Sequence, residues 1–207
     1  MSCCDKSTDK SNNNNIKVDN EQHKLEAKTK LEKGVKLILL GERSTGKTCI
    51  TNRLVRNEFG VTVPTLGASF LTKTMLIDDT TVKLELWDTA GEERYRSLMP
   101  LYYREAVVAV IVYDITSMAT FNLSKTWITE LHKYSDSNII IALVGNKSDL
   151  PNREVPKETA QQYIQDHIPS CIFYETSALT NENINELFIT VCRVIIEKYI
   201  QKESQKS

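Results

Sequence analysis

Short aliphatic runs alternate along the chain with segments in which apolar residues recur every three or four positions. Two runs are continuous, as is typical of parallel strands buried on both faces: Val107–Tyr113 and Ile139–Val144. A third run, Val35–Leu40, also predicts a buried strand. Two others, Phe70–Ile77 and Val82–Trp87, alternate apolar and polar residues around a polar turn and predict an antiparallel hairpin. Ile172–Tyr174 predicts a last, short strand.

Helices are predicted between and after these strands, at Lys47–Arg56, Ala119–Tyr134 and Pro156–His167. A final helix carries apolar residues on one face, at positions 184, 187, 188, 191 and 195, and we expect this stripe to pack in the core. The alternation predicts an α/β domain, with a mostly parallel six-stranded sheet, one antiparallel strand and helices on both faces. Ligands are expected at the carboxyl ends of the strands.

The two ends of the chain lack this pattern. Residues 1–33 are rich in Lys, Ser and Asn and contain few apolar residues, so we predict a flexible N-terminal tail. The domain is predicted to span residues 34–200, and a short polar tail to follow at 201–207.

Charge and composition exclude several classes of function. Lys and Arg number 26 against 27 Asp and Glu, a net charge of -1, so no broad positive field is available to bind nucleic acid. No aliphatic stretch approaches the roughly 20 residues of a membrane-spanning helix, and we see no secretory signal. The five cysteines show neither metal-type spacing nor an even count for disulfides, which favours the reducing cytoplasm.

The first motif with clear chemistry follows the first strand. Residues 41–48 read Gly-Glu-Arg-Ser-Thr-Gly-Lys-Thr and match the P-loop pattern, in which glycines let backbone N–H groups approach phosphate oxygens at a helix N-terminus. Lys47 is predicted to reach the β- and γ-phosphates, and the Thr48 hydroxyl to ligate Mg²⁺.

Two further motifs stand at predicted strand ends. Asp88 and Gly91 of the Asp-Thr-Ala-Gly sequence are predicted to hold the metal and to donate an N–H to the third phosphate. The second motif, Asn146-Lys147-Ser148-Asp149, predicts that the base is guanine. The Asp149 carboxylate can accept hydrogen bonds that guanine offers and adenine does not. Alone, the Asp-x-x-Gly pattern is usually a turn, and the Asn-Lys-x-Asp pattern is a surface turn about as often as a base-recognition site.

The base site has three more predicted contributors. Asn146 is expected to brace neighbouring loops, and the stem of Lys147 to lie along the purine. After the last strand, the sequence Thr176-Ser177-Ala178 places the Ala178 N–H where it could bond guanine O6.

Together these motifs resemble those of the Ras superfamily of small GTPases over residues 34–200, which implies the small G domain fold of P-loop NTPases. Within that superfamily, residues 65–72, 77–82 and 93–98 are similar to the first switch, hairpin and second switch of early-endosomal Rab proteins. The resemblance implies Mg²⁺ and GTP or GDP as ligands. It also implies an exchange factor, an activating protein and effectors as partners of a monomer.

The resemblance also assigns individual residues. Thr65 would ligate Mg²⁺ in the triphosphate state with Thr48 and Asp88, and Phe59 would stack on guanine, although the segment between them looks one residue shorter than in relatives. The full set expected to bind the nucleotide is Gly41, Ser44, Thr45, Gly46, Lys47, Thr48, Cys49, Phe59, Thr65, Gly91, Asn146, Lys147, Asp149, Ser177, Ala178 and Leu179.

Phe70, Trp87 and Tyr102 would form an aromatic patch for effectors, together with the switch regions. The alternative is that these three are ordinary core or surface aromatics, although exposed aromatic clusters usually mark binding sites.

Three residues of the predicted site depart from the family. Glu92 stands where relatives carry the Gln that orients the attacking water, and Arg43 replaces a small residue beside the γ-phosphate. With Lys47 and Gly91 as the other catalytic candidates, we expect slow hydrolysis, because Glu92 lacks the amide donor and brings negative charge toward the phosphate. Arg43 either forms an ion pair with Glu92 that offsets this charge, or each residue merely weakens catalysis. Leu179 replaces a usual Lys, with little effect expected on guanine affinity.

Membrane attachment also departs from the family. The chain ends Lys-Glu-Ser-Gln-Lys-Ser without cysteines for prenylation, so Cys3 and Cys4 are the candidates for S-acylation, unless the tail is free and its cysteines incidental. We expect a cytoplasmic protein that associates peripherally with endosomal or vesicle membranes.

The sequence therefore predicts a Rab-like GTP/GDP switch that regulates endosomal vesicle trafficking. Glu92 and Arg43 leave open an effector-binding module that stays loaded with GTP. A P-loop nucleotide kinase would share residues 41–48 but has no reason to carry residues 146–149.

Overall fold

The structure, a computed structural model, describes residues 29–31, 33–92 and 99–205. The strands are β1 (Thr29–Lys30), β2 (Val35–Leu40), β3 (Ala68–Ile77), β4 (Thr80–Thr89), β5 (Val108–Asp114), β6 (Ile140–Asn146) and β7 (Ile172–Thr176). The helices are α1 (Lys47–Arg56), α2 (Met99–Tyr103), α3 (Met118–Tyr134), α4 (Lys157–His167) and α5 (Ile184–Ser204). No helix within these ranges is long and apolar enough to span a bilayer. Cys3, Cys4 and residues 93–98 lie outside the described residues.

The strands form one sheet in the order β1-β4-β2-β5-β6-β7, with β3 beside β4. All pairings are parallel except β3 with β4, which confirms the predicted α/β sheet with one antiparallel strand. The short β1 was not predicted. It pairs with Thr80 and Thr81 in the same direction as β2, and the buried Leu31 follows it, so ordered packing starts before Gly34.

Two apolar clusters cover the two faces of the sheet, because β5 and β6 are buried along their whole length and alternate side chains point to opposite faces. One cluster joins the sheet to α1 and α5, and includes every residue of the predicted stripe at positions 184, 187, 188, 191 and 195. The other joins it to α2, α3 and α4.

The carboxyl ends of the parallel strands carry the predicted motifs. The P-loop follows β2, Asp88 lies near the end of β4, Asn146 ends β6, and Thr176 ends β7. Because the strands run in parallel, their ends meet at one edge of the sheet, and the fold brings distant motifs together there.

Candidate functional site

A cavity of about 580 Å³ lies at this edge of the sheet. The predicted site residues that line it are Arg43, Ser44, Gly46, Lys47, Thr48, Cys49, Phe59, Thr65, Gly91, Glu92, Asn146, Lys147, Asp149, Ala178 and Leu179. Four others do not line it: Gly41, Thr45, Asp88 and Ser177 lie behind the wall and are bonded to residues that do. The cavity also has lining residues that were not predicted, namely Thr62, Val63, Pro64, Thr89 and Leu150.

Two glycines allow the P-loop to wrap closely against the sheet. Gly41 has a φ of 135° and Gly46 a φ of 99°, in the region that favours glycine. A Cβ at Gly41 would overlap the carbonyl oxygen of Val112, and one at Gly46 would overlap the side-chain amide of Asn146. No side chain caps the start of α1, so the N–H groups of its first turn are available at the cavity wall.

Lys47 is the buried cation of this loop. Its Nζ donates to the carbonyl oxygens of Gly41 at 2.7 Å and Glu42 at 2.8 Å. Burial lowers the pKa of Lys47 to about 8, although the negative charges of Asp88 and Glu42 act in the opposite direction. An anion bound in the cavity would favour the charged form of this amine.

Thr48, Thr65 and Asp88 form an oxygen-rich cluster beside Lys47. The Thr48 hydroxyl donates to Asp88 Oδ2 at 2.6 Å and lies 3.2 Å from the Thr65 hydroxyl, which lies 3.5 Å from the same carboxylate oxygen. Burial raises the pKa of Asp88, and the hydrogen bond from Thr48 and the charge of Lys47 oppose this shift. The structure therefore brings together the three side chains predicted to hold the metal.

This cluster fits a magnesium ion. Asp88 Oδ1 is buried and has no hydrogen-bond partner within the described ranges, and all three side chains offer hard oxygen atoms. Among the described residues, no group of three His, Cys, Asp or Glu side chains could hold a metal by itself. A metal here would need oxygens from hydroxyls, phosphates and water, which is the usual arrangement for magnesium with a nucleotide.

Asn146 joins the P-loop to the loop after β7. Its Nδ2 donates to the carbonyl oxygen of Thr45 at 2.9 Å, and its Oδ1 accepts from the Thr176 hydroxyl at 3.2 Å and from the Ala178 N–H at 3.4 Å. Asn146 is buried, so these contacts satisfy a polar side chain that would otherwise be costly to bury. This is the bracing role predicted for Asn146.

Two side chains that line the cavity, those of Asp149 and Lys147, are each held by a polar contact. Asp149 Oδ1 accepts a 2.5 Å hydrogen bond from the Ser177 hydroxyl, and that hydroxyl accepts from the Thr180 N–H. Lys147, with a φ of 70°, forms a 2.5 Å ion pair with Asp114. Burial alone would raise the pKa of Asp114, but the hydrogen bond from Lys147 and those from Thr116 lower it. Asp114 ends β5, and its supporting role was missed from the sequence.

Gly91 lies closely against the P-loop. A Cβ at this position would lie 2.5 Å from both Arg43 N and the Glu42 carbonyl carbon, so only glycine fits without a shift of the backbone. Arg43 and Glu92, two of the residues that depart from the family pattern, line the same cavity as Gly91. Phe59 also lines this cavity and is 47% exposed.

The three predicted patch aromatics are in contact. The ring centroids of Phe70 and Trp87 are 5.2 Å apart in an edge-to-face arrangement, and those of Trp87 and Tyr102 are 6.1 Å apart. Phe70 is exposed and the other two are half-buried. The three rings therefore form one continuous aromatic patch on the surface.

Comparison with known proteins agrees with this geometry. The sequence model of the Ras family matches residues 36–197, which extend from β2 into α5. A Dictyostelium discoideum protein named "Putative ras-related protein Rab-5B" is 57% identical over 172 residues, covering 83% of this chain and 80% of that protein. The chain therefore belongs to the Ras family, as a small GTPase of the Rab type.

Proposed function

We propose that this chain is a GTP/GDP switch of vesicle trafficking with slow hydrolysis. The observation that carries the proposal is the meeting of three parts in one cavity: the P-loop with Lys47, the cluster around Asp88, and the Asp149 side of the base site. Each part has its own chemistry, and one guanine nucleotide with its metal requires all three.

In this proposal the first turn of α1 and the Lys47 amine bind the phosphates, while Asp149 accepts hydrogen bonds from the guanine edge. Thr48, Thr65 and Asp88 would hold the magnesium ion, which neutralises phosphate charge when bound. Thr65 lies in the segment before β3 and Gly91 in the segment after β4, and both residues line the cavity. Their contacts with a γ-phosphate would order both segments, and loss of that phosphate would release them.

Competition between nucleotides tests this function directly. Protein stripped of nucleotide and supplied with magnesium is offered labelled GDP against unlabelled GTP, GDP or ATP. We expect GTP and GDP to displace the label at concentrations at least about 100-fold lower than ATP, because adenine leaves the Asp149 carboxylate unpaired. Equal competition by ATP would contradict the base assignment, and no nucleotide binding at all would contradict the function.

Slow hydrolysis is proposed from two side chains. Glu92 can accept a hydrogen bond from an attacking water but has no amide donor, and its negative charge opposes the charge that develops on the phosphate. Arg43 is exposed at the cavity and can offset that charge or obstruct an arginine supplied by an activating protein. We infer that the two side chains act as a pair.

A double-mutant cycle measures this coupling by single-turnover hydrolysis of preloaded GTP. We expect Glu92→Gln to raise the rate about tenfold. We expect Arg43→Ser to lower the rate about fivefold beside Glu92 but less than about twofold beside Gln, a coupling of at least about 0.5 kcal/mol. Arg56→Ser makes the same charge change at the exposed end of α1 and serves as the control. Additive effects of Arg43 and Glu92 would refute the pairing.

The cellular role is proposed from the similarity to the Rab-5B-named relative and from the aromatic patch. Exposed, packed aromatic rings are typical of protein-binding surfaces. We propose that effectors bind Phe70, Trp87 and Tyr102 in the GTP state, at endosomal or vesicle membranes. Acylation of Cys3 and Cys4 would provide the membrane anchor, and palmitate labelling of the Cys3→Ser/Cys4→Ser variant beside the natural chain tests it.

A further inference from the structure

Arg53 joins helix α1 to the loop that follows β7. Its Nε donates to the carbonyl oxygen of Ala178 at 2.9 Å, and its Nη2 donates to that of Leu179 at 3.0 Å. These partners lie 125 and 126 residues away in the sequence. Two successive carbonyl groups of the loop are thus held by one planar guanidinium, a geometry that the single ammonium of a lysine cannot reproduce.

The guanidinium is itself held in place. Arg53 Nη1 donates to the backbone oxygen of Asn57 at 3.0 Å and to its side-chain oxygen at 3.3 Å. Asn57 ends α1 in the left-handed conformation, with a φ of 58°, and its N–H donates back to the Arg53 carbonyl oxygen. The end of the helix therefore orients the arginine, and the arginine orients the loop.

The loop held in this way carries the only N–H predicted to contact the 6-position of the base. Ala178 is buried at the cavity wall, and its N–H lies 3.4 Å from Asn146 Oδ1, at the long end of the hydrogen-bonding range. The Leu179 side chain is 52% exposed, so side-chain packing does little to fix the loop at that position. The direction of the Ala178 N–H depends on the backbone contacts, and Arg53 makes two of them.

We propose that Arg53 is a positioning residue for base recognition, which aims the Ala178 N–H at an acceptor on the 6-position of the purine. The inference rests on the proposed guanine-nucleotide function and adds a residue outside its motifs. Arg53 does not line the cavity, so it acts on the base through the loop. A base that has no acceptor at its 6-position should then be insensitive to Arg53.

Three diphosphates separate this role from a general structural one. GDP and inosine diphosphate both carry the 6-oxygen, whereas the diphosphate of 2-aminopurine riboside lacks it and keeps the 2-amino group. Competition against labelled GDP gives the affinity of each for the natural protein, Arg53→Met and Arg53→Lys. Arg56→Met is the matched control, because Arg56 is exposed in the same last turn of α1 and takes no part in the Ala178 and Leu179 contacts.

We expect Arg53→Met to lower the affinity for GDP and inosine diphosphate about tenfold, the effect of one misdirected hydrogen bond. The affinity for the 2-aminopurine nucleotide should fall less than about twofold. Arg53→Lys should show the same pattern among the three nucleotides with a smaller loss of affinity. This variant also provides the test if the methionine variant does not fold. An equal loss of affinity for all three nucleotides, or no loss for any, would overturn the inference about Arg53. The proposed function would survive this result if the natural protein still prefers GDP. A natural protein that does not distinguish GDP from the 2-aminopurine nucleotide would overturn the base assignment and this inference with it.

Discussion

Replacing Asp149 by Asn should lower the affinity for GDP about 100-fold and make xanthosine diphosphate the preferred ligand. Guanine presents two donors, the N1–H and the 2-amino group, and only a carboxylate accepts both. An amide offers one donor and one acceptor, which matches the N1–H and 2-oxygen of xanthine. The lost charged hydrogen bond and the unpaired donor together cost about 3 kcal/mol, which corresponds to the stated factor.

The surroundings of Asp149 indicate that this substitution changes base recognition with little effect on the rest of the fold. Asp149 is exposed, and its described side-chain contact is the hydrogen bond from the Ser177 hydroxyl. The amide oxygen of an asparagine can accept the same hydrogen bond. Asp166→Asn, with the same charge change on the exposed side of α4, controls for net charge. Equilibrium competition between the two labelled diphosphates measures the preference, and an unchanged ratio in the Asp149 variant would show that this carboxylate does not contact the base.

The sheet could be predicted almost completely from the sequence, because its central strands are buried on both faces. The boundaries of β2 and α1 agree with the predicted ranges, and those of the other predicted elements lie within a few residues. Strand ends were missed where a polar residue continues the strand. Asp114, Asn146 and Thr176 end their strands because buried hydrogen bonds replace the apolar packing that periodicity detects.

Short elements could not be predicted in the same way. Helix α2 has five residues, fewer than two turns, so no period of three or four can show in its sequence. Strand β1 has two residues and is defined by its pairing with Thr80 and Thr81, which lie about fifty positions away. Elements of this size are specified by their tertiary contacts, and these are not visible in a local pattern.

The residues of the candidate site also differ in whether the sequence could predict them. Residues within motifs, such as Lys47, Thr48 and Asp149, were predicted because their chemistry is tied to a fixed spacing. Asp114 and Arg53 support the site from outside any motif, through contacts with Lys147 and with the loop at Ala178. A charged residue near a strand end or in the last turn of a helix is common, so the sequence gives no reason to select these two.

Replacing Thr48 by Val should make nucleotide release insensitive to magnesium. In the natural protein we expect EDTA to speed GDP release about 100-fold, since the chelator removes the ion that the Thr48 and Asp88 oxygens would hold against the phosphates. Valine keeps the shape of threonine but removes the hydroxyl that donates to Asp88 Oδ2 at 2.6 Å. The variant should therefore release GDP in magnesium about as fast as the natural protein does in EDTA.

Thr51→Val provides the matched control for this release measurement. Thr51 is a buried threonine one turn further along α1, whose hydroxyl donates to the Lys47 carbonyl oxygen and does not contact Asp88. It should keep the full response to EDTA, because the local loss of a buried hydroxyl leaves the oxygen cluster of Thr48, Thr65 and Asp88 intact. A Thr48 variant that still responds to EDTA about 100-fold would place the metal elsewhere, since its site would then lack the oxygen that the proposal requires.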